Sequence, residues 1–322
     1  MRIKYFFLTT IIFAVTVFGQ PRVDTSNIGL VLKISLQRDT IRLGEPLILT
    51  STLINKSSKS IDISTFFSDY GIGLTLLCPS GDKKLYRVGI SYSRIATSIA
   101  GLNTIKLAPM DSIYWRKLYW LENFGAPESL EDFAPGWYRI IGTYLYYISF
   151  IDKHSISNRI SDSTSFILTY NSQLIKTIKP IREYLNNFFW WDGHFLADMR
   201  RKQRGIVSGE ALADCLYQYL LKIRRLNSPF ILYADYLLPT IVSLIKYRKK
   251  RAIILADEFM KKYPDSPLSE EMAFCKGRLI ERELVKKPEQ DSLMEVWLKP
   301  VFKRYPKNAY RFAFGELWKK FD

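Results

Sequence analysis

Apolar and polar residues alternate in short runs between Ile28 and Thr169, and after Tyr170 the apolar positions recur every three or four residues. The clearest alternation runs from Leu43 to Ser64. Leu47, Leu49, Ser51 and Leu53 fall on one face of an extended chain and Ile48, Thr50, Thr52 and Ile54 on the other, as in a strand buried between layers. Asn55-Lys56-Ser57-Ser58-Lys59 supplies turn chemistry, so the stretch reads as two antiparallel strands joined by a polar loop. Further strands are predicted at 28–36, 73–78, 84–88, 104–107, 112–118, 136–147 and 163–169, with a turn at Gln37–Thr40 and a loop or short helix at 119–134. Short strands with regular turn signals and no interleaved helices predict an all-β sandwich.

Helical spacing follows at 172–191, 208–225, 229–247, 250–263, 267–286, 288–305 and 308–321. The start at Asp265-Ser266-Pro267, with Glu270 and Glu271 in the first turn, has the residues a helix N-terminus favours. This half also repeats. Phe259-Met260-Lys261-Lys262-Tyr263-Pro264 matches Phe302-Lys303-Arg304-Tyr305-Pro306, with Tyr263 and Tyr305 42 positions apart, and a weaker copy precedes Pro229. Each unit is one helical hairpin that buries its apolar stripe only by stacking on its neighbours. The predicted class is thus multidomain β plus α, with a β-sandwich at 28–171 and an all-α helical-hairpin repeat domain at 172–322.

Two resemblances accompany these patterns. Leu43-Gly44-Glu45-Pro46, then Leu53-Ile54-Asn55-Lys56-Ser57-Ser58, Leu107-Ala108-Pro109-Met110-Asp111-Ser112 and Ala134-Pro135-Gly136-Trp137-Tyr138-Arg139 resemble bacterial immunoglobulin-like domains, including the proteinase-inhibitor type, over about 100 residues. The resemblance implies that Gly136 relaxes a turn and that the aromatic residue after it closes the sandwich. Those domains usually carry Gly where this chain has Met110. These motifs encode a fold and no catalytic residue, so inhibitor function is not transferred. Glu258 to Pro267, followed by Ala273 and Gly277, resembles tetratricopeptide-type repeats, although the period is longer than that family's roughly 34 residues.

Charge and the N-terminus narrow the functional classes. Residues 1–19 join a basic start to an apolar run ending in small residues, which predicts a secretory signal peptide, followed by a linker at 20–27. No cysteine at the cleavage point supports a lipoprotein anchor, so the expected product is periplasmic or extracellular. The net charge is +16, and residues 173–322 carry 29 basic against 18 acidic side chains. A basic surface favours anionic partners, and export argues against nucleic acid among them. Cys78, Cys215 and Cys275 form no metal-binding or redox spacing; packed thiols are the ordinary expectation, and a Cys215–Cys275 bridge is the alternative.

No reactive centre emerges from spacing. His154 falls in a polar loop, and Asp192 and His194 lack an identifiable nucleophile or third ligand. Gly205-Ile206-Val207-Ser208-Gly209 places its serine one position late for a nucleophile elbow and reads as a helix start. Asp257-Glu258 and Glu270-Glu271 read as solvated charges on helix surfaces. No metal or cofactor is expected. Two binding candidates remain: the aromatic run Phe188-Phe189-Trp190-Trp191, and the basic segments with Arg200, Arg201, Arg204 and Arg248, Lys249, Lys250, Arg251, which would meet on one rim if the hairpins stack. The expected function is a non-catalytic, exported scaffold that binds a protein of the cell envelope through its helical surface. The alternative is a binder of acidic glycan or lipid headgroups on an anionic envelope surface; a proteinase inhibitor or hydrolase has only fold analogy behind it.

Overall fold

A computed structural model describes residues 29–64, 72–85, 104–119, 121, 133–149, 155–176, 209–225, 230–245, 248–283, 290–311 and 314. The predicted signal peptide and linker lie outside them. The described residues form ten strands: β1 (Leu30–Leu36), β2 (Thr40–Arg42), β3 (Leu47–Asn55), β4 (Ile61–Ser64), β5 (Ile72–Leu77), β6 (Lys83–Leu85), β7 (Thr104–Leu107), β8 (Ser112–Tyr119), β9 (Gly136–Ser149) and β10 (Ser155–Thr169). A helical turn at 172–176 and five longer helices follow: α1 (Gly209–Arg225), α2 (Ile231–Leu244), α3 (Lys249–Lys262), α4 (Pro267–Glu283) and α5 (Gln290–Arg304). The class is β plus α.

The strands form three sheets, ordered β1-β3-β8, β2-β10-β9-β5-β6 and β4-β7. The alternation read at β3 holds: Leu47, Leu49, Ser51 and Leu53 are all buried. The predicted hairpin does not form. β3 pairs with β1 and β8, whereas β4 pairs with β7. The reason lies in Asn55, whose buried amide donates to the carbonyls of Lys59, Leu107 and Ala108 while its oxygen accepts from the Ser57 N–H and hydroxyl. That side chain bends the chain away from β3 and delivers it to β7, so the polar loop is a corner and not a hairpin turn.

β2 falls where the sequence predicts the end of a turn, because three residues are too few to show alternation. It pairs in parallel with the end of β10, and the Ile167 N–H donates to the Asp39 carbonyl at 2.7 Å. β10 itself begins eight residues before the predicted start at Ser163; the added segment, Ser155-Ile156-Ser157-Asn158-Arg159-Ile160-Ser161-Asp162, is mostly polar and carries little apolar signal. On the inner side, Leu32 and Ile34 of β1 lie against Gly142 of β9, where a Cβ would come within 3.0 Å of the Ile34 side chain. The Ile34 N–H, on the free edge of β1, donates to the Asp162 carboxylate of β10 at 2.8 Å, so that edge is not open for pairing there.

The aromatic pair after Gly136 divides differently from the expectation. Trp137 points outward and is 66% exposed, while Tyr138 is buried, stacks on Phe166 at 5.5 Å and donates its hydroxyl to the Ala134 carbonyl at 2.7 Å. Tyr138 therefore fills the interior, because strand alternation allows only one of two adjacent side chains to face inward. Met110, standing where glycine is usual, adopts φ 61°, the left-handed conformation such a turn requires.

Each helix packs on the next in sequence, and α2 also touches α4. The turns after α3 and α5 repeat bond for bond: Tyr263 and Tyr305 donate to Phe259 and Val301, Ser266 and Asn308 to those two tyrosines, and Ser269 and Arg311 to Ser266 and Asn308. The described residues after the second turn, 308–311, form a short 3-10 turn and not the start of the predicted α-helix. Gly277 of α4 is the point of close approach to α5, since a Cβ there would lie 2.9 Å from both Leu298 and Phe314. One hydrophobic core runs through both halves, from Trp115 and Phe166 to Phe230 and Phe259, and a second lies between α4 and α5 around Phe274, Leu298, Phe302 and Phe314. Burying each such ring contributes about 1.5–3 kcal/mol.

Candidate functional site

Of the predicted binding residues, Trp190, Trp191, Arg200, Arg201 and Arg204 lie outside the described residues, as do His154 and His194. The second basic segment is described. Arg248 immediately precedes α3, with Lys249, Lys250 and Arg251 in its first turn, where the helix dipole disfavours cations. Arg248 reaches Asp214 of α1 at 3.5 Å and lies over the Tyr217 ring, and Arg251 pairs with Glu258 at 3.3 Å. These half-exposed pairs are worth at most about 1 kcal/mol each. Lys250 is exposed.

The strongest electrostatics lie elsewhere, around three buried carboxylates. Glu45, in the turn between β2 and β3, accepts from the backbone and guanidinium of Arg42, with the phenol of Tyr233 from α2 close enough for its titration to feel that charge. Burial first, and then Glu45, push Tyr233 up to about 12. Asp235 of α2 takes Arg224 at 2.6 Å, Lys262 at 2.8 Å and the Tyr263 hydroxyl at 2.8 Å, which ties α1, α2 and the end of α3 together. The hydrogen bond to Asp235, followed by that to Tyr263, raises the pKa of Lys262.

Glu270 is the third, and it corrects the sequence reading. It is 7% exposed and not a solvated helix charge. Its carboxylate accepts from the Tyr114 hydroxyl at 2.5 Å, Arg116 at 3.0 Å and the Asn308 amide at 2.7 Å. Tyr114 and Arg116 are outward positions of β8, so Glu270 fastens α4 across that strand. The Tyr114 N–H donates to the Lys307 carbonyl at 2.9 Å, and Lys307 pairs with Asp111 at 2.9 Å. Burial, and then the bond and charge of Glu270, push the Tyr114 phenol far above its ordinary range. Asp257, also read as solvated, is half-exposed but holds the nearly buried Lys276 at 2.6 Å, and Lys276 sits 3.6 Å over the Trp297 ring.

α2 and α4 carry contacts to the β half, and the exposed large apolar side chains of the described helices lie on α3 and α5. Ile254 is 48% exposed on α3, beside Lys250, Asp257, Glu258 and Lys261. Val296 is 73% exposed on α5 and lines an open groove of about 480 Å³ with Ser292, Glu295, Lys299, Pro300 and Lys303. Among the described residues no group of three His, Cys, Asp or Glu side chains is close enough to hold a metal ion. No described helix is long and apolar enough to cross a membrane. The Cys275 sulfur lies 3.6 Å from the Thr240 hydroxyl, and the Cys215 side chain is outside the described ones.

Sequence reasoning misplaced Glu270 and Trp137, one as a solvated charge and the other as the residue that closes the sandwich, and it missed Asp235. Asp235 carried a signal, a lone acid inside the otherwise apolar run Ile231-Leu232-Tyr233-Ala234-Asp235-Tyr236-Leu237-Leu238. Glu270 carried none, since its partners are more than 150 residues away in β8 or follow α5.

No protein-family model and no curated protein matches the chain. Solved structures with partial likeness include an alkylpurine DNA glycosylase of Pseudomonas fluorescens bound to DNA containing an abasic site analog (13% identity, TM-score 0.25, 48% of this chain and 33% of that one). A β-glucosidase of Listeria innocua in complex with glucose is another (15%, 0.24, 44% and 16%), as is a sporulation control protein of Bacillus subtilis (12%, 0.26, 48% and 55%). This chain spans less than two thirds of each of the three, and likeness at this level carries no argument about fold or function.

Proposed function

We propose that this chain is a non-catalytic recognition module of the cell envelope, in which an immunoglobulin-like β-sandwich (28–171) carries a short tetratricopeptide-like helical array (172–322) that binds a protein partner. The sandwich reading is supported by the two larger sheets meeting at Gly142 and by Tyr138, whose hydroxyl bonds back to the backbone four residues upstream as in a tyrosine corner. The repeat reading is supported by the identical turns after α3 and α5 and by the packing of each helix on its successor.

The observation that carries the function is the division of the helical surface. α2 and α4 face the β half through Tyr233 and Glu270, while α3 and α5 present Ile254 and Val296 to solvent among mixed charges. Apolar side chains rimmed by Lys and Glu are the composition of a protein-binding patch. The buried carboxylates are each held by cations or hydroxyls, which fits anchoring and not turnover. The test is capture of envelope proteins by the full chain in low salt and in about 0.5 M salt, beside I254D, V296D and K250E. Shape-driven binding survives the salt and is lost in I254D or V296D. Equal capture by wild type and both aspartate variants contradicts the proposal.

A further inference from the structure

The outer face of the five-stranded sheet has a composition the protein-binding proposal does not use. Strand register fixes which residues share it. One row crosses Thr40, Ile167 and Trp137; the next crosses Ser165, Arg139, Leu77 and Lys83; the third crosses Ser163, Ile141 and Thr75. Trp137, Arg139, Lys83, Ser161, Ser163 and Ser165 are exposed, and Arg159 extends the same face along β10. Neighbours along a strand are spaced by about 6.6 Å and neighbours across strands by about 4.8 Å, so the whole set forms one continuous field on a single face of the sheet.

Three properties of this field point to one kind of ligand. An indole lying open on a sheet face offers an apolar, electron-rich face, on which the C–H face of a pyranose ring stacks. The serines of β10 at 161, 163 and 165 form a comb of hydroxyls beside it, suited to the hydroxyls of a chain of sugars. The charge is of one sign: the described outward positions of these strands carry Lys83, Arg139 and Arg159, with Arg42 at the end of β2, and no Asp or Glu. Arg42 is engaged by Glu45, and Asp39 beside Thr40 and Asp82 beside Lys83 mark the acidic limits of the field at its two margins. The Asp162 carboxylate points to the opposite side, toward β1.

The geometry points to this face, centred on Trp137 and Arg139, as a binding site for an acidic polysaccharide, with a sugar ring on the indole and its carboxylate on the guanidinium. The site is independent of α3 and α5. It would hold the chain on an anionic glycan while the helical face remains open to a protein.

Affinity electrophoresis of the full chain through gels containing polygalacturonate, neutral dextran or neither tests this, with W137A, R139E, K250E and V296D run beside wild type. W137A leaves the net charge unchanged, so its loss of retardation separates stacking from the general attraction of a basic protein to a polyanion. The expected result is retardation by polygalacturonate alone, weakened about fivefold or more in W137A. R139E weakens it well beyond K250E, which changes the charge equally, and V296D leaves it intact. Equal retardation of wild type and W137A, equal losses in R139E and K250E, or equal retention by dextran overturns the proposal. Binding to phosphatidylglycerol vesicles with the same dependence on Trp137, at equal or greater strength, would assign the face to lipid and overturn it as well.

Discussion

The two larger sheets each have an outward face, and the two faces have met different fates. On the β1-β3-β8 sheet the outward positions of β8 are Ser112, Tyr114, Arg116 and Leu118, and α4 closes over them through Glu270. On the larger sheet the outward positions of β9 begin with Trp137 and Arg139, which are exposed. Both strands place an aromatic residue and then an arginine at successive outward positions, yet Tyr114 is an anchor inside the protein and Trp137 is exposed. The difference teaches that an aromatic beside an arginine on a strand has no fixed role. Its role is set by whether another element supplies a buried acceptor for both.

Removing that acceptor is the largest expected effect. Glu270→Ala leaves Arg116 partly buried without its carboxylate and Tyr114 and Asn308 without an acceptor, which costs about 3 kcal/mol and lowers the urea midpoint. Helical and β signals are expected to melt together in wild type and to separate in this variant. Gly277→Val acts on the same helix from its other side by pushing α4 off Leu298 and Phe314; about 1–3 kcal/mol is expected in the same measurement. Met110, in the turn that leads into β8, moves stability the other way. Met110→Gly relieves the left-handed backbone and raises the thermal midpoint by the equivalent of about 0.5–1 kcal/mol.

The smallest effect concerns Asp111 and Lys307, at the exposed margin of the junction. Burial pushes the Asp111 carboxyl upward, but the bonds from Lys307 and from the Ser112 N–H outweigh it and hold the carboxyl below its ordinary value. A depressed folded pKa gives a contribution that is complete above the unfolded value, about 4, and lost as the pH falls through the lower folded one. A slight acid-side loss of stability that Asp111→Asn abolishes is therefore expected in pH-dependent melting curves.

How much of this was legible follows from the range of the interactions. The faces of β3 and five of the helices are written in local alternation and spacing, and so are the turns after Tyr263 and Tyr305. The partner of β3 is not, because Asn55 diverts the chain through carbonyls about fifty residues away. Trp137 was expected to close the sandwich because the resemblance to immunoglobulin-like domains implies it; alternation says only that one of Trp137 and Tyr138 faces inward. Glu270 looked like any first-turn glutamate, and its burial is decided by Tyr114 and Arg116 in the other half of the chain.

The account turns on the helical half covering the free edge and outer face of β8. Hydrogen exchange at the Tyr114 amide tests this most directly, since its N–H leaves the sheet and donates to the Lys307 carbonyl. Protection as strong as that of the amides of β3, in the middle of its sheet, is the expected result. Exchange at the rate of an open edge strand would mean that the helices do not rest on β8, and the division into a covered and an open face would fail with it.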